Sequence, residues 1–173
     1  NYVNQRSILS AIHTLLGGFT SDSDVHTEMV VNIGFLTYLK NSLFIPDTGN
    51  VREVCWIFSN LAIGKPEQIR MLLAEPMLFQ SLAKLCEHED EALNREAIWT
   101  FCNMCLCKDT EVVQQLIDKG LIALFNSLLA QTKDIKVITL ILEGVTNLIE
   151  FSGTLGNDSQ TNFVKLMMTQ GLG

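Results

Sequence analysis

The chain has 173 residues, of which 47% are hydrophobic and 18% are charged. That is enough for one domain with a continuous core, which excludes an intrinsically disordered chain and a small disulfide scaffold. The formal net charge of −7 and the pI of about 4.9 disfavour direct nucleic-acid binding and favour a basic partner. Three prolines and 8% aromatic residues favour helices over an all-β domain.

The first 46 residues predict part of one helical unit and most of the next. A helix over 7–16 is expected to end at Gly17-Gly18, because adjacent glycines terminate helices. Two shorter helices are predicted over 28–32 and 35–43. The turn at 46–49 then leads into a helix that contains Trp56.

Prolines and polar turns mark the elements of the middle of the chain. Pro66 is expected at the first position of a short helix that ends at Ala74, and Pro76 opens a second helix over 76–86. The acidic turn 87–91 leads to a longer third helix over 91–106. The sequence therefore predicts short, medium and long helices in succession.

The next segment repeats this order. Helices are predicted over 110–118, over 121–130 after a turn at Gly120, and over 134–150, whose apolar residues follow helical periodicity. A polar loop is expected over 151–160 and a final helix over 162–170.

An internal repeat of about 43 residues connects these elements. Residues 52–60 (REVCWIFSN) recur 43 positions later at 95–103 (REAIWTFCN), and the Asn recurs after a further 44 positions within 143–148 (EGVTNL). Three helices per period of this length are typical of armadillo repeats. We therefore expect an all-α, right-handed superhelical armadillo solenoid of three to four repeats, with approximate units 1–17 (partial), 24–64, 66–107, 110–151 and 162–173 (partial).

Two Trp-x-x-x-Asn pairs on the predicted third helices are candidate binding residues. The partners of each pair, Trp56 with Asn60 and Trp99 with Asn103, lie one turn apart on one helix face, which Glu96 shares. If the third helices pack side by side, regularly spaced Asn side chains can bond the backbone of an extended peptide. Trp faces can flank a Lys or Arg stem, and carboxylates can meet its charged head.

A purely structural role for these residues is the alternative. A Trp on a helix is often part of the core, and a mid-helix Asn can bond the backbone of a neighbouring helix. Their repetition at one register favours a surface role.

The segments 51–60 and 95–103 resemble consecutive repeats of the importin-α family, adaptors that recognise nuclear localisation signals. Residues 143–149 resemble the Trp-less repeat near the C-terminus of that family, and 156–172 its final partial repeat. The resemblance implies a nuclear import adaptor of cytoplasm and nucleus that binds Lys/Arg-rich localisation signals on its concave face. It implies a peptide-binding set in the minor groove of the family: Arg52, Trp56, Ser59, Asn60, Glu96, Trp99, Asn103, Glu143 and Asn147.

Within that set, the resemblance assigns the roles. Trp56 and Trp99 flank a basic side chain, Asn60 and Asn103 hold the peptide backbone, and Glu96 supplies an acidic contact. Ser59 is the small polar residue beside the first Asn, and Arg52 is a basic residue near the groove. The last repeats are expected to meet a nuclear export receptor.

Three departures from the family pattern stand out. We expect His13 to occupy the place of an Asn in an earlier repeat, and Cys102 replaces a Ser. No basic run is present, so the segment that binds importin-β is expected to be absent. Since the chain starts at Asn1 and stops at Gly173, we expect a fragment of a longer protein.

Other functions have weaker signals. The triplet Cys102, Cys105 and Cys107 and the acidic turn 87–91 are candidate metal sites, but buried thiols and a solvated turn explain them better. No catalytic motif or phosphate loop is present, so we expect neither an enzyme nor a cofactor. A generic armadillo scaffold, of the catenin type and with a different ligand, is the main alternative.

Compartment and membrane association can also be predicted. No apolar run reaches the roughly 18 residues of a membrane span, and no signal peptide opens the chain. Five cysteines, an odd number, indicate reduced thiols in the cytoplasm or nucleus. We expect no membrane partner.

Overall fold

The computed structural model describes residues 2–22 and 34–154, together with the single residues 29, 165 and 169. Within the two continuous ranges the chain forms nine α-helices and no β-strand. In chain order the helices are α1 (Tyr2–Asp22), α2 (Phe35–Ser42), α3 (Thr48–Leu61), α4 (Pro66–Ala74), α5 (Leu78–Leu85), α6 (Glu91–Met104), α7 (Thr110–Asp118), α8 (Leu121–Gln131) and α9 (Ile135–Gly153).

The predicted boundaries are confirmed best where a strong breaker defines them. Helix α7 has the predicted bounds, α4 begins at Pro66 and ends at Ala74, and α8 follows Gly120. Helix α9 continues beyond 150, because Phe151 and Ser152 are buried and extend its packed face. The helices predicted over 28–32 and 162–170 lie outside the described ranges.

Two predicted helix ends are wrong. Helix α1 does not end at Gly17-Gly18 but continues to Asp22, since Gly17 is buried under a ring of the next repeat. Helix α5 begins at Leu78 rather than at Pro76, because Met77 before it is left-handed, with φ 63°. Gly34 and Gly120, with φ of 80° and 94°, hold the same position before α2 and α8.

Aspartates begin four of the helices and connect successive repeats. Asp47, Asp90, Asp109 and Asp134 each accept backbone N–H bonds from the first turn of their helix, at 2.8–3.0 Å. Three of them also pair with an arginine of the preceding repeat: Arg6 with Asp47, Arg70 with Asp109 at 2.9 Å, and Arg95 with Asp134 at 3.1 Å. The same carboxylate thus starts a helix and fixes its neighbour.

The long helices α1, α3, α6 and α9 pack side by side in chain order, and we call them the third-helix row. Helices α4 and α7 pack together in a separate layer. One core runs through the described repeats, and Phe58, Phe101 and Phe125 within it are fully buried. The rings of Phe79 and Phe101 meet edge to face, with centroids 4.9 Å apart.

Among the described residues, no single helix has the length and apolar character to cross a membrane. The helices Thr110–Asp118 and Leu121–Gln131 reach that length and apolar character only when they are taken together, and the pair is bent by 59°.

Candidate functional site

The two tryptophans of the third-helix row have different environments. Trp99 in α6 is 47% exposed, whereas Trp56 in α3 is half-buried. A Cβ built on Gly17 lies only 2.0 Å from Cζ3 of Trp56 and 2.5 Å from its Cε3. The Trp56 ring therefore packs directly on the backbone of α1, at a point where only glycine fits. Sequence reasoning missed Gly17, although it lies 43 residues before Asn60.

The asparagines of the row bond the preceding third helix. Nδ2 of Asn103 donates to the backbone oxygen of Ser59 at 2.9 Å, and Asn103 is 8% exposed. Nδ2 of Asn60 lies 3.3 Å from both the Gly17 oxygen and the Thr20 Oγ1. These contacts are the structural role foreseen as the alternative. A primary amide has two N–H donors and one acceptor oxygen, so the bond to Ser59 uses only part of the hydrogen-bonding capacity of Asn103.

Charged residues lie near Glu96, which precedes Trp99 by one turn in α6. Glu96 is half-buried, and burial raises the pKa of its carboxyl while the charges of Arg52 and Arg95 oppose the shift. Arg52 is exposed on α3. Arg95 is bound to Asp134, so Arg52 is the more accessible cation of the two.

Ser59 contributes to the scaffold. It is buried, and its Oγ donates to the Trp56 backbone oxygen of its own helix at 2.8 Å. Such a bond within one turn occupies the hydroxyl hydrogen.

The last helix of the row, α9, has a glutamate where α6 has Trp99, and an asparagine one turn later. Glu143 stands 44 residues after Trp99 and is exposed, and the half-buried Asn147 lies one turn further. Both line a shallow depression of about 450 Å³ along α9, with Thr139, Leu142, Thr146 and Glu150. This depression contains two carboxylates and no cation among its lining residues. The structure therefore brings the predicted set onto one row, with Ser59 turned to the backbone.

The prediction that His13 takes the place of an Asn in an earlier repeat is wrong. Gly17, which lies 43 residues before Asn60, stands in that place, and His13 lies one turn earlier and is fully buried. Its Nδ1 is 3.2 Å from Asn50 Oδ1, and Asn50 Nδ2 donates to Asp47. Nδ1 therefore carries the hydrogen, and Nε2 accepts from the Tyr38 hydroxyl at 3.3 Å.

We expect acidification to destabilise the fold through His13. Burial lowers the pKa of His13, although the hydrogen bond with Asn50 and the charge of Glu53 oppose the shift. The unfolded chain then binds a proton more readily than the folded one, so stability is fully present above the unfolded pKa of about 6.5 and falls below it. Urea unfolding at about pH 7.5 and about pH 5.5 should show a larger loss for the wild type than for His13→Gln. An equal loss in both proteins would contradict this assignment.

The buried cysteines are unreactive. Cys55, Cys86, Cys102 and Cys105 are buried, and desolvation raises the pKa of Cys55 and Cys102 to about 12. Thiols that stay protonated are poor nucleophiles and metal ligands. In the part of the chain that the structure describes, no three His, Cys, Asp or Glu side chains are grouped to hold a metal ion.

Comparison with known proteins adds a distant sequence relative and several structural ones. No family model matches the chain. It is 26% identical over 125 residues to importin subunit alpha-1 of Caenorhabditis elegans, a match that covers 72% of this chain and 23% of that protein. The chain thus spans about a quarter of the curated relative's length.

Three solved structures of engineered proteins share the architecture. One engineered protein matches with a TM-score of 0.78 at 23% identity, covering 96% of this chain and 64% of its own. Computationally designed armadillo repeat proteins for modular peptide recognition match at 0.76 and 20%, covering 96% and 66%. A designed armadillo repeat protein in complex with the peptide (KR)4 matches at 0.71 and 20%, covering 90% and 72%. The all-helical chain therefore has the armadillo-repeat fold.

Proposed function

We propose that the third-helix row binds extended, Lys/Arg-rich peptides, and that the protein acts as a nuclear import adaptor for cargo carrying such localisation signals. The proposal places it in the cytoplasm and nucleus, as a binding protein without catalytic activity. A contact with a nuclear export receptor at the last repeats belongs to the same proposal, and so does a contact with importin-β through a basic segment that is not among these 173 residues. The proposal includes no direct nucleic-acid partner and no membrane partner.

One observation carries the proposal: an exposed indole on α6 with a carboxylate one turn before it and an amide one turn after it. Trp99 offers its face to a cation, Glu96 offers a negative charge, and Asn103 has hydrogen-bonding capacity left for a peptide backbone. Desolvation around Glu96 strengthens its attraction for a cation.

The comparisons support this assignment in two ways. The curated relative is named an importin subunit, and one of the designed proteins of the same fold is bound to an alternating Lys-Arg peptide. The acidic net charge of this chain favours a ligand of the same basic character.

The test uses the two tryptophans as reporters. The purified chain is titrated with the peptide (KR)4, and tryptophan emission is followed at about 50 mM and about 500 mM salt, since screening shortens the reach of charge at the higher value. We expect a saturable change that salt weakens, and no change with a (DE)4 peptide.

Two results would contradict the proposal. One is no response to the basic peptide from protein that circular dichroism shows to be helical, and the other is an equal response to the acidic peptide. Either result would leave the generic scaffold with a different ligand as the better description. An adaptor must hold its cargo, so loss of binding would remove the import role as well.

A further inference from the structure

Helix α1 lacks the side chains that could bind a peptide at the positions of Trp and Asn in the other helices of the row. The ring of Trp56 covers Gly17, and the carbonyl of Gly17 is the hydrogen-bond partner of Asn60. Gly17 has no side chain. Helix α1 therefore has no side-chain amide at the position that Asn60, Asn103 and Asn147 occupy on the other helices of the row. The ring of His13, one turn earlier, is fully buried and offers no face to a cation.

The charge along the row becomes more negative in the direction away from α1. Exposed Arg52 lies on α3, half-buried Glu96 on α6, and exposed Glu143 and Glu150 on α9. The depression between α1 and α3 is balanced in charge, because Asp47 pairs with Arg6 and the carboxylate of Glu53 lies in the same depression as Arg52. A cationic ligand is thus attracted more strongly towards α9, whose depression contains two carboxylates and no cation, than towards α3.

We propose that the peptide surface is one-sided, that is, it extends from α3 in the direction of α9 only. It is centred on Trp99, continues onto α9, and ends at Trp56, whose ring packs on Gly17 of α1. This inference rests on the proposed function and specifies its ligand. Adjacent packed helices lie about 8–10 Å apart and an extended chain advances about 3.3 Å per residue, so α3, α6 and α9 accommodate about six peptide residues. The basic side chains of that peptide face Glu96 and Glu143.

A matched pair of charge insertions tests the direction. Thr146 on α9 lines the depression beside Glu143, and Thr14 on α1 lines the one beside Arg52, and both are exposed threonines within helices. Affinity for labelled (KR)4 is measured by fluorescence anisotropy at about 150 mM salt, where screening over about 8 Å keeps each new charge local.

We expect Thr146→Lys to weaken binding about tenfold and Thr14→Lys to change it less than about twofold. A loss for Thr14→Lys that equals or exceeds the loss for Thr146→Lys would overturn the one-sided surface. If the wild type does not bind (KR)4 at all, the proposed function itself fails, which is a distinguishable result.

A second measurement needs no substitution in the protein. A nitroxide is attached to each end of (KR)4 in turn, and broadening of backbone amide signals is recorded on the wild-type chain. Because a nitroxide broadens amide signals beyond the spacing of neighbouring helices, we expect one label to broaden the amide of Thr146 more strongly than either label broadens that of Thr14. Broadening at Thr14 without broadening at Thr146 would place the peptide across α1 and overturn the inference.

Discussion

Replacing Gly17 by alanine is expected to destabilise the protein by about 1–3 kcal/mol, the usual cost of adding a methyl group to a filled interface. The new Cβ would lie 2.0 Å from Cζ3 of Trp56, closer than any real contact. The indole must leave the α1 backbone, and the bonds from Asn60 to Gly17 and Thr20 are disturbed with it. Urea unfolding measures the loss, and acrylamide quenching of Trp56 in a Trp99→Phe background should increase.

The neighbouring glycine is the matched control. A Cβ on Gly18 meets nothing within 4 Å, and both glycines lie within α1. Gly18→Ala should therefore stabilise the chain by roughly 0.5–1 kcal/mol, because alanine favours a helix interior over glycine. If Gly17→Ala were as stable as Gly18→Ala, Trp56 would not pack on α1 as the structure places it.

Much of the fold could be predicted because local breakers and the repeat period agree. Pro66 defines the start of α4, Gly120 separates α7 from α8, and a recurrence at 43 residues indicates three-helix units. The end of α1 could not be predicted in this way. Gly17-Gly18 disfavours a helix locally, but contacts with Trp56 and Asn60, about 40 residues away, hold the helix in place.

The candidate site could likewise be predicted only in part from the local sequence. The spacing of Trp and Asn placed both pairs on the third-helix row, yet the two tryptophans have similar local sequences and different exposure. The cause lies in the preceding helix: Trp56 faces Gly17, whereas the repeat-equivalent position ahead of Trp99 is Asn60, which has a side chain. The partners of the Asn amides likewise depend on the neighbouring helix, which no window of local sequence contains.

Replacing Trp99 by alanine is expected to weaken binding of (KR)4 by about 1–2 kcal/mol, or roughly five- to thirtyfold in dissociation constant. Trp99 is 47% exposed, so its removal costs little packing but takes away the face that attracts a cation. Anisotropy of a labelled peptide is the suitable readout, because the substitution removes one of the two fluorescent indoles.

Met71→Ala provides the comparison for this loss. Met71 is a large apolar side chain of similar exposure, 42%, but it lies on α4, outside the third-helix row. We expect its removal to leave peptide affinity unchanged, so that a loss confined to Trp99→Ala reports the row and not general surface hydrophobicity. If Trp99→Ala keeps both full helicity by circular dichroism and wild-type affinity, the indole does not contact the peptide. The carboxylates of α6 and α9 would then have to account for any binding by charge alone, with a correspondingly steep dependence on salt.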